Sequence, residues 1–170
     1  MIKWKNEGDL EWGLSKKTGT LIIKGKGPLE DYADGTKACQ MKDYTSSGDG
    51  ISPWRNKHRK LIETVVICYG VSSIGNFAFH SCVNLGSVVL PNSVISIGEC
   101  AFDGCTGLTS VVIPDSVKNI GNAACGKCNF SSVKIPRSVS SFGGNPFSVR
   151  EKLVTIVSLK IQTLFSSMEC

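Results

Sequence analysis

Cys125-Gly126-Lys127-Cys128 has the CxxC spacing of thiol oxidoreductases, which is also half of a zinc site. A second pair would complete a sulfur tetrahedron, but Cys100 and Cys105 are separated by four residues and Cys82 has no near partner. His80 lies two residues from Cys82 and His58 lies near Trp54, so a Cys-His nucleophile is the next chemistry to weigh; nothing in the sequence orients either ring. Glu99, Asp103 and Asp115 occupy different faces of their units and force no acid/base pair together. Gly25-Lys26-Gly27-Pro28 lacks the lysine-serine ending of a phosphate-binding loop and follows a strand instead of opening a helix. The expectation is no catalytic residue, no metal and no cofactor. A thiol-disulfide function of Cys125 and Cys128 stands as the minor alternative.

The elements that would position these residues come from a repeat. Ile62 to Asn84, Leu85 to Gly107, Leu108 to Asn129 and Phe130 onward align as four copies, with spacings of 23, 23 and 22. One column reads Ile62, Leu85, Leu108, Phe130; the next Val65, Val88, Val111, Val133; then Ile67, Leu90, Ile113, Ile135. Val71, Val94, Val117, Val139 and Ile74, Ile97, Ile120, Phe142 complete five apolar columns. Gly75, Gly98, Gly121 and Gly143 follow, read as turning the chain, and Ala78-Phe79, Ala101-Phe102 and Pro146-Phe147 close the units. A unit this short buries too little alone, so stacking must build one continuous core. The fold expected is a solenoid, mostly β, whose parallel sheet takes one short strand per 23-residue repeat, with rungs about 4.8 Å apart.

In this frame the CxxC arises from two independent columns. Cys128 shares a column with Cys82 and Cys105, which reads as a buried thiol ladder, and Cys125 shares the column of Phe79 and Phe102. His80 shares a column with Asp103 and Lys127, which reads as a solvent-facing position. Asn129-Phe130-Ser131 fits the glycosylation triplet, but Phe130 is in an apolar column.

The unit L-x-x-V-x-I-P-x-S-V-x-x-I-G-x-x-A-F-x-x-C, matched almost throughout by Leu85 to Cys105, resembles the BspA-type, or Treponema pallidum-type, leucine-rich repeat. The head resembles the segment that precedes such repeats, through Leu10-Glu11-Trp12, Gly19 to Gly27, Asp31-Tyr32 and Pro53-Trp54, so the likeness covers roughly residues 10 to 147. It departs at Cys68, where proline is usual, at Ala124-Cys125 in place of Ala-Phe, and in the tail. The resemblance implies a cell-surface or secreted protein of the kind linked to adhesion and host-protein binding.

Domain organisation follows: a capping segment over 1–60, four repeats over 61–147 and a C-terminal cap or tail over 148–170. Trp12 to Lys24 alternates around Lys16-Lys17-Thr18-Gly19, a β-hairpin pattern. Trp4, Trp12, Tyr32 and Trp54 are large enough to cover the apolar face opened by Ile62 and Val65. Residues 34–52 read as a mobile loop, and Leu153 to Val157 as a last strand in repeat register.

Composition narrows the function. Residues 1–60 hold twelve basic and eight acidic residues, and residues 61–147 four of each, so the array is neutral and offers no nucleic-acid footprint. The apolar stretch Leu153 to Phe165, broken by Lys160 and Gln162, is too short to span a bilayer. Met1 to Lys5 starts like a signal peptide but Glu7, Asp9 and Glu11 replace an apolar region. What remains is surface. The outward positions of the four strands are Thr64 and Val66, Ser87 and Val89, Ser110 and Val112, and Ser132 and Lys134, joined at a third position by Cys68, Pro91, Pro114 and Pro136. This nearly uncharged face is the expected contact for a protein or glycan ligand. The rival is a structural spacer within a longer surface protein.

Overall fold

The computed structural model describes residues 2–32, 52–147 and 155–157. The loop expected over 34–52 lies, apart from Ser52, outside them, as does the tail beyond Val157.

The head opens with strands β1 (Trp4–Glu7), β2 (Leu10–Ser15) and β3 (Thr20–Gly25), an antiparallel meander in which β2 and β3 form the hairpin legible from the alternation. Gly19 turns it at φ +61°, a region costly for other residues. Two residues of β4 (Gly27–Pro28) and a six-residue helix α1 (Pro53–His58) follow. The first repeat then adds β5 (Thr64–Ile67) parallel to β3, and the second adds β7 (Ser87–Val89) parallel to β5. The hairpin therefore extends the repeat sheet edge to edge.

A second parallel sheet runs beside the first: β4, β6 (Val71–Ile74), β8 (Ser96–Ile97), β9 (Asn119–Ile120) and β11 (Ser141–Phe142). The V-x-x-I pair of each unit, read in the sequence only as two apolar columns, thus carries a second short strand per repeat. The column glycines just beyond it have a different task from turning. None of the four has positive φ; a Cβ on Gly98 would lie 2.6 Å from the Asn76 nitrogen, and one on Gly121 2.5 Å from that of Glu99. Adjacent rungs meet backbone to backbone there. Left-handed residues sit two positions later, at Phe77, Cys100 and Ala123, and again at Ser81 and Lys127.

In the third rung Val111 and Ile113 stay buried, yet residues 109–114 form no strand. Pro91 and Pro114 stand at the same column of adjacent rungs and neither donates a backbone N–H, so pairing weakens at that end. Strand β10 (Ser132–Lys134) resumes the pattern and pairs parallel with β12 (Thr155–Val157), offset by one repeat: Ser132 with Thr155 and Lys134 with Val157. Of the strand expected over Leu153 to Val157, Thr155–Val157 falls in repeat register, and Leu153 and Val154 lie outside the described residues.

Between the sheets and the far wall lies one apolar core. Phe79 and Phe102 stack at 5.2 Å and 13°, and Trp54 continues the column below them at 5.7 Å and 25°. Ser52 Oγ and Trp54 Nε1 both donate to the Ala78 carbonyl at 2.9 Å, fixing that indole as a surrogate for a preceding repeat's phenylalanine. Trp12 and Tyr32 meet Trp54 edge-on, so three of the four expected capping aromatics do cap. Trp4 does not. Its register partner is Gly13, whose row faces away from the core, and it remains 42% exposed under Lys24 Nζ at 4.1 Å.

Candidate functional site

Strand alternation decides which side chains a ligand can reach, because the inward residue of each pair is fixed by the core. Register places Thr64 beside Ser87 and Val66 beside Val89. Thr64 and Val66 are half-buried, whereas Ser87, Ser110, Ser132 and Lys134 are exposed, Val89 is 51% exposed and Val112 is 81% exposed. The pairing of β3 with β5 extends both rows onto the hairpin, Thr20 beside Thr64 and Ile22 beside Val66. Sequence reasoning does not place those two residues on the face, although Thr20-Leu21-Ile22-Ile23 repeats the pattern of Thr64-Val65-Val66-Ile67. One row is therefore hydroxyl-bearing (Thr20, Thr64, Ser87, Ser110, Ser132) and the next β-branched until Lys134 (Ile22, Val66, Val89, Val112). The third outward position fails: Pro114 and Pro136 are buried and Cys68 and Pro91 are half-buried, because the chain leaves the sheet there to enter the next layer.

The cysteines behave as a ladder. No disulfide joins the described cysteines, and Cys82, Cys105, Cys125 and Cys128 are buried. Cys105 Sγ donates to the Phe79 carbonyl at 3.1 Å and Cys128 Sγ to the Phe102 carbonyl at 3.3 Å, so each thiol ties its rung to the one before. Burial pushes the Cys105 and Cys125 thiols up strongly, and pushes Cys128 up to about 12, with the nearby Asp103 charge acting the same way. A redox thiol needs the opposite environment, a lowered pKa and access.

His80 departs from the expectation of a solvent-facing position. Its column is as the repeat predicts but its exposure is not: the side chain is only 16% exposed, and Nε2 lies 3.2 Å from Asp103 Oδ2, which Lys127 Nζ also reaches at 3.2 Å. Three stacked rungs thus share one buried carboxylate. Ser81 Oγ sits 3.3 Å from His80 Nδ1, giving the hydroxyl, imidazole, carboxylate order of a hydrolytic triad. The amides of Ser81 and of Gly104, which packs against it, are already used, however. Ser81 N donates to the Asp103 carbonyl at 2.7 Å and Gly104 N to that of Gly126 at 2.9 Å, so neither can stabilise an oxyanion. Among the described residues no group of three or more His, Cys, Asp or Glu side chains could hold a metal, and no helix is long and apolar enough to cross a membrane.

Comparison with known proteins agrees with this architecture. The family described as the BspA type leucine rich repeat region matches residues 72–168 in six copies, and so continues past residue 147, where the likeness visible in the sequence ends. No curated protein matches. Among solved structures, a leucine-rich repeat protein from Eubacterium ventriosum is similar at TM-score 0.62 and 23% identity, over 93% of this chain and 45% of that one. One from Bacteroides ovatus is similar at TM-score 0.54 and 27% identity, over 84% of this chain and 38% of that one. The T. pallidum leucine rich repeat protein is similar at TM-score 0.54 and 20% identity, over 84% and 65%. The chain spans less than half the length of the first two.

Proposed function

Since this chain belongs to the BspA-type leucine-rich-repeat family, we propose that it is a non-catalytic binding module that captures a protein partner, at the cell surface or outside the cell, on its outward strand face. The single observation that carries this reading is the row Ile22, Val66, Val89, Val112, whose last two members are 51% and 81% exposed although their inward neighbours are buried. Exposed valines on successive rungs present an apolar strip with hydroxyl groups alongside and no charge before Lys134, the composition of an interface centre. A host extracellular protein is the partner class that the family resemblance brings with it. Thr64, Val66, Ser87, Val89, Ser110, Val112, Ser132 and Lys134 are the contact residues of this proposal.

The test is binding of the purified chain to a panel of immobilised extracellular-matrix proteins, with Val89→Glu plus Val112→Glu as the comparison. Both positions are outward, so the fold survives, while two unpaired carboxylates in a desolvated contact should weaken capture by at least about a hundredfold. Capture at wild-type affinity by the double variant refutes the face. One observation favours a second reading, a structural spacer: the chain covers only 45% and 38% of two similar structures. A spacer binds none of the panel in either form.

A further inference from the structure

A cleft with about 610 Å³ of open volume lies in the head, lined by residues of β1, β2 and the hairpin turn. Its rim carries Lys3, Lys5, Lys16 and Lys17, and its floor Trp12 and Leu14. The register explains the convergence. Inward positions on β2 and β3 hold Leu10, Trp12, Leu21 and Ile23, all buried, but β1 sets Lys5 opposite Trp12 and so turns an ammonium toward the apolar side. Lys5 Nζ stands 4.9 Å from the centre of the Trp12 ring. Lys16 and Lys17 arrive from the hairpin turn at the end of the same strand β2.

Charge makes the arrangement informative. Among the described residues the lysine ion pairs are those of Lys24 and Lys127, none joins these four lysines to a carboxylate, and no acidic residue lines the cleft. Four like charges around an apolar floor repel one another until an anion joins them. The volume falls in the range of small-ligand sites, about 300–1,000 Å³. Lysine offers point charges without the planar fork that grips carboxylate or phosphate at two points, so the rim selects for negative charge and the Trp12 and Leu14 floor for the apolar body that carries it. We propose that this cleft binds an acidic oligosaccharide, sugar rings resting on the Trp12 and Leu14 floor while carboxylate or sulfate groups meet the lysine rim.

The proposal is tested by calorimetry on the intact chain with a heparin-derived tetrasaccharide, a galacturonic acid tetrasaccharide, neutral maltotetraose and inorganic tripolyphosphate. The first two probes distinguish sulfate from carboxylate as the recognised group, and binding of either should weaken with added salt. Lys5→Gln with Lys16→Gln and Lys17→Gln should weaken it by about tenfold or more for each charge-assisted hydrogen bond removed. Lys5→Arg should bind within a few fold of wild type, and the Val89→Glu, Val112→Glu variant should bind unchanged, which separates this site from the strand face. Three results overturn the proposal: equal binding of maltotetraose, tripolyphosphate binding tighter than both acidic sugars, or no sugar binding. In the last case self-association of the triple variant would identify the lysines as protection for an edge strand.

Discussion

The thiol ladder yields a prediction whose size can be worked out. Cys128 is displaced from the usual 9.0 to about 12, three powers of ten, so at any pH below 9 its thiolate is about a thousandfold scarcer than that of an open cysteine. Only the thiolate reacts, and Cys128 is also buried, so native labelling by a chromogenic disulfide reagent should run at least about a thousandfold slower than for a free thiol peptide. Cys82, Cys105 and Cys125, all buried, should be protected with it, while the half-buried Cys68 and Cys100 label earlier. The assay is timed labelling of native protein at about pH 8, peptide mass mapping at each time, and repetition in guanidinium, where all these thiols should react at ordinary rates. Labelling of native Cys125 or Cys128 within about tenfold of the free peptide would refute the reasoning. So would a Cys125–Cys128 disulfide in the unreduced mass, which would restore the oxidoreductase reading of the CxxC.

Alkaline pH should unfold the protein early. Thiols raised in the folded state keep their protons when the unfolded chain has lost them, so Cys105, Cys125 and Cys128 contribute stability that is complete below pH 9 and declines as pH rises above 9, for Cys128 up to about 12. Tyr32, raised from 10.0 by burial and by the neighbouring Glu7, adds to the decline from pH 10 upward. Guanidinium midpoints should hold up to about pH 9 and fall between about pH 9 and 11, and a flat profile would show that these groups are not buried. Phe102→Ala should cost about 3–5 kcal/mol in urea unfolding, since a fully buried ring stacked at 5.2 Å on Phe79 leaves a cavity between fixed rungs; a loss under about 1 kcal/mol would mean the stack collapses to refill it.

How much can be read from the chain follows from what each row of a stack demands. Apolar columns such as Val65, Val88, Val111, Val133 are legible because a buried position tolerates few residue types and repeats them at every rung. The hairpin is legible for the same reason, alternation against a core. The second sheet is not, because two-residue strands such as Ser96–Ile97 are too short to show a period and exist only through pairing with their neighbours. Strand β1 escapes notice because Trp4-Lys5-Asn6-Glu7 carries no apolar alternation at all. Its charges are those of an edge strand, and an edge is defined by what is missing beside it.

The outward rows and the His80 column show where column logic stops. A column states what stands above what, and it places His80, Asp103 and Lys127 together correctly. It does not say how deep they stand. Depth is set by the neighbouring columns: the Asp103 side chain is only 7% exposed, and an imidazole and an ammonium from the rungs on either side reach the same carboxylate oxygen at 3.2 Å. Such a charge is tolerated in a wall only if both neighbours answer it, so the three positions can change together but not singly. The valine row obeys the opposite rule. Val112 at 81% exposure lies outside the core, in a rung that forms no strand, so the fold asks little of the side chain there. A solenoid thus separates its residues into those that the stack dictates and those that it leaves open, and the proposed partner surface belongs to the second kind.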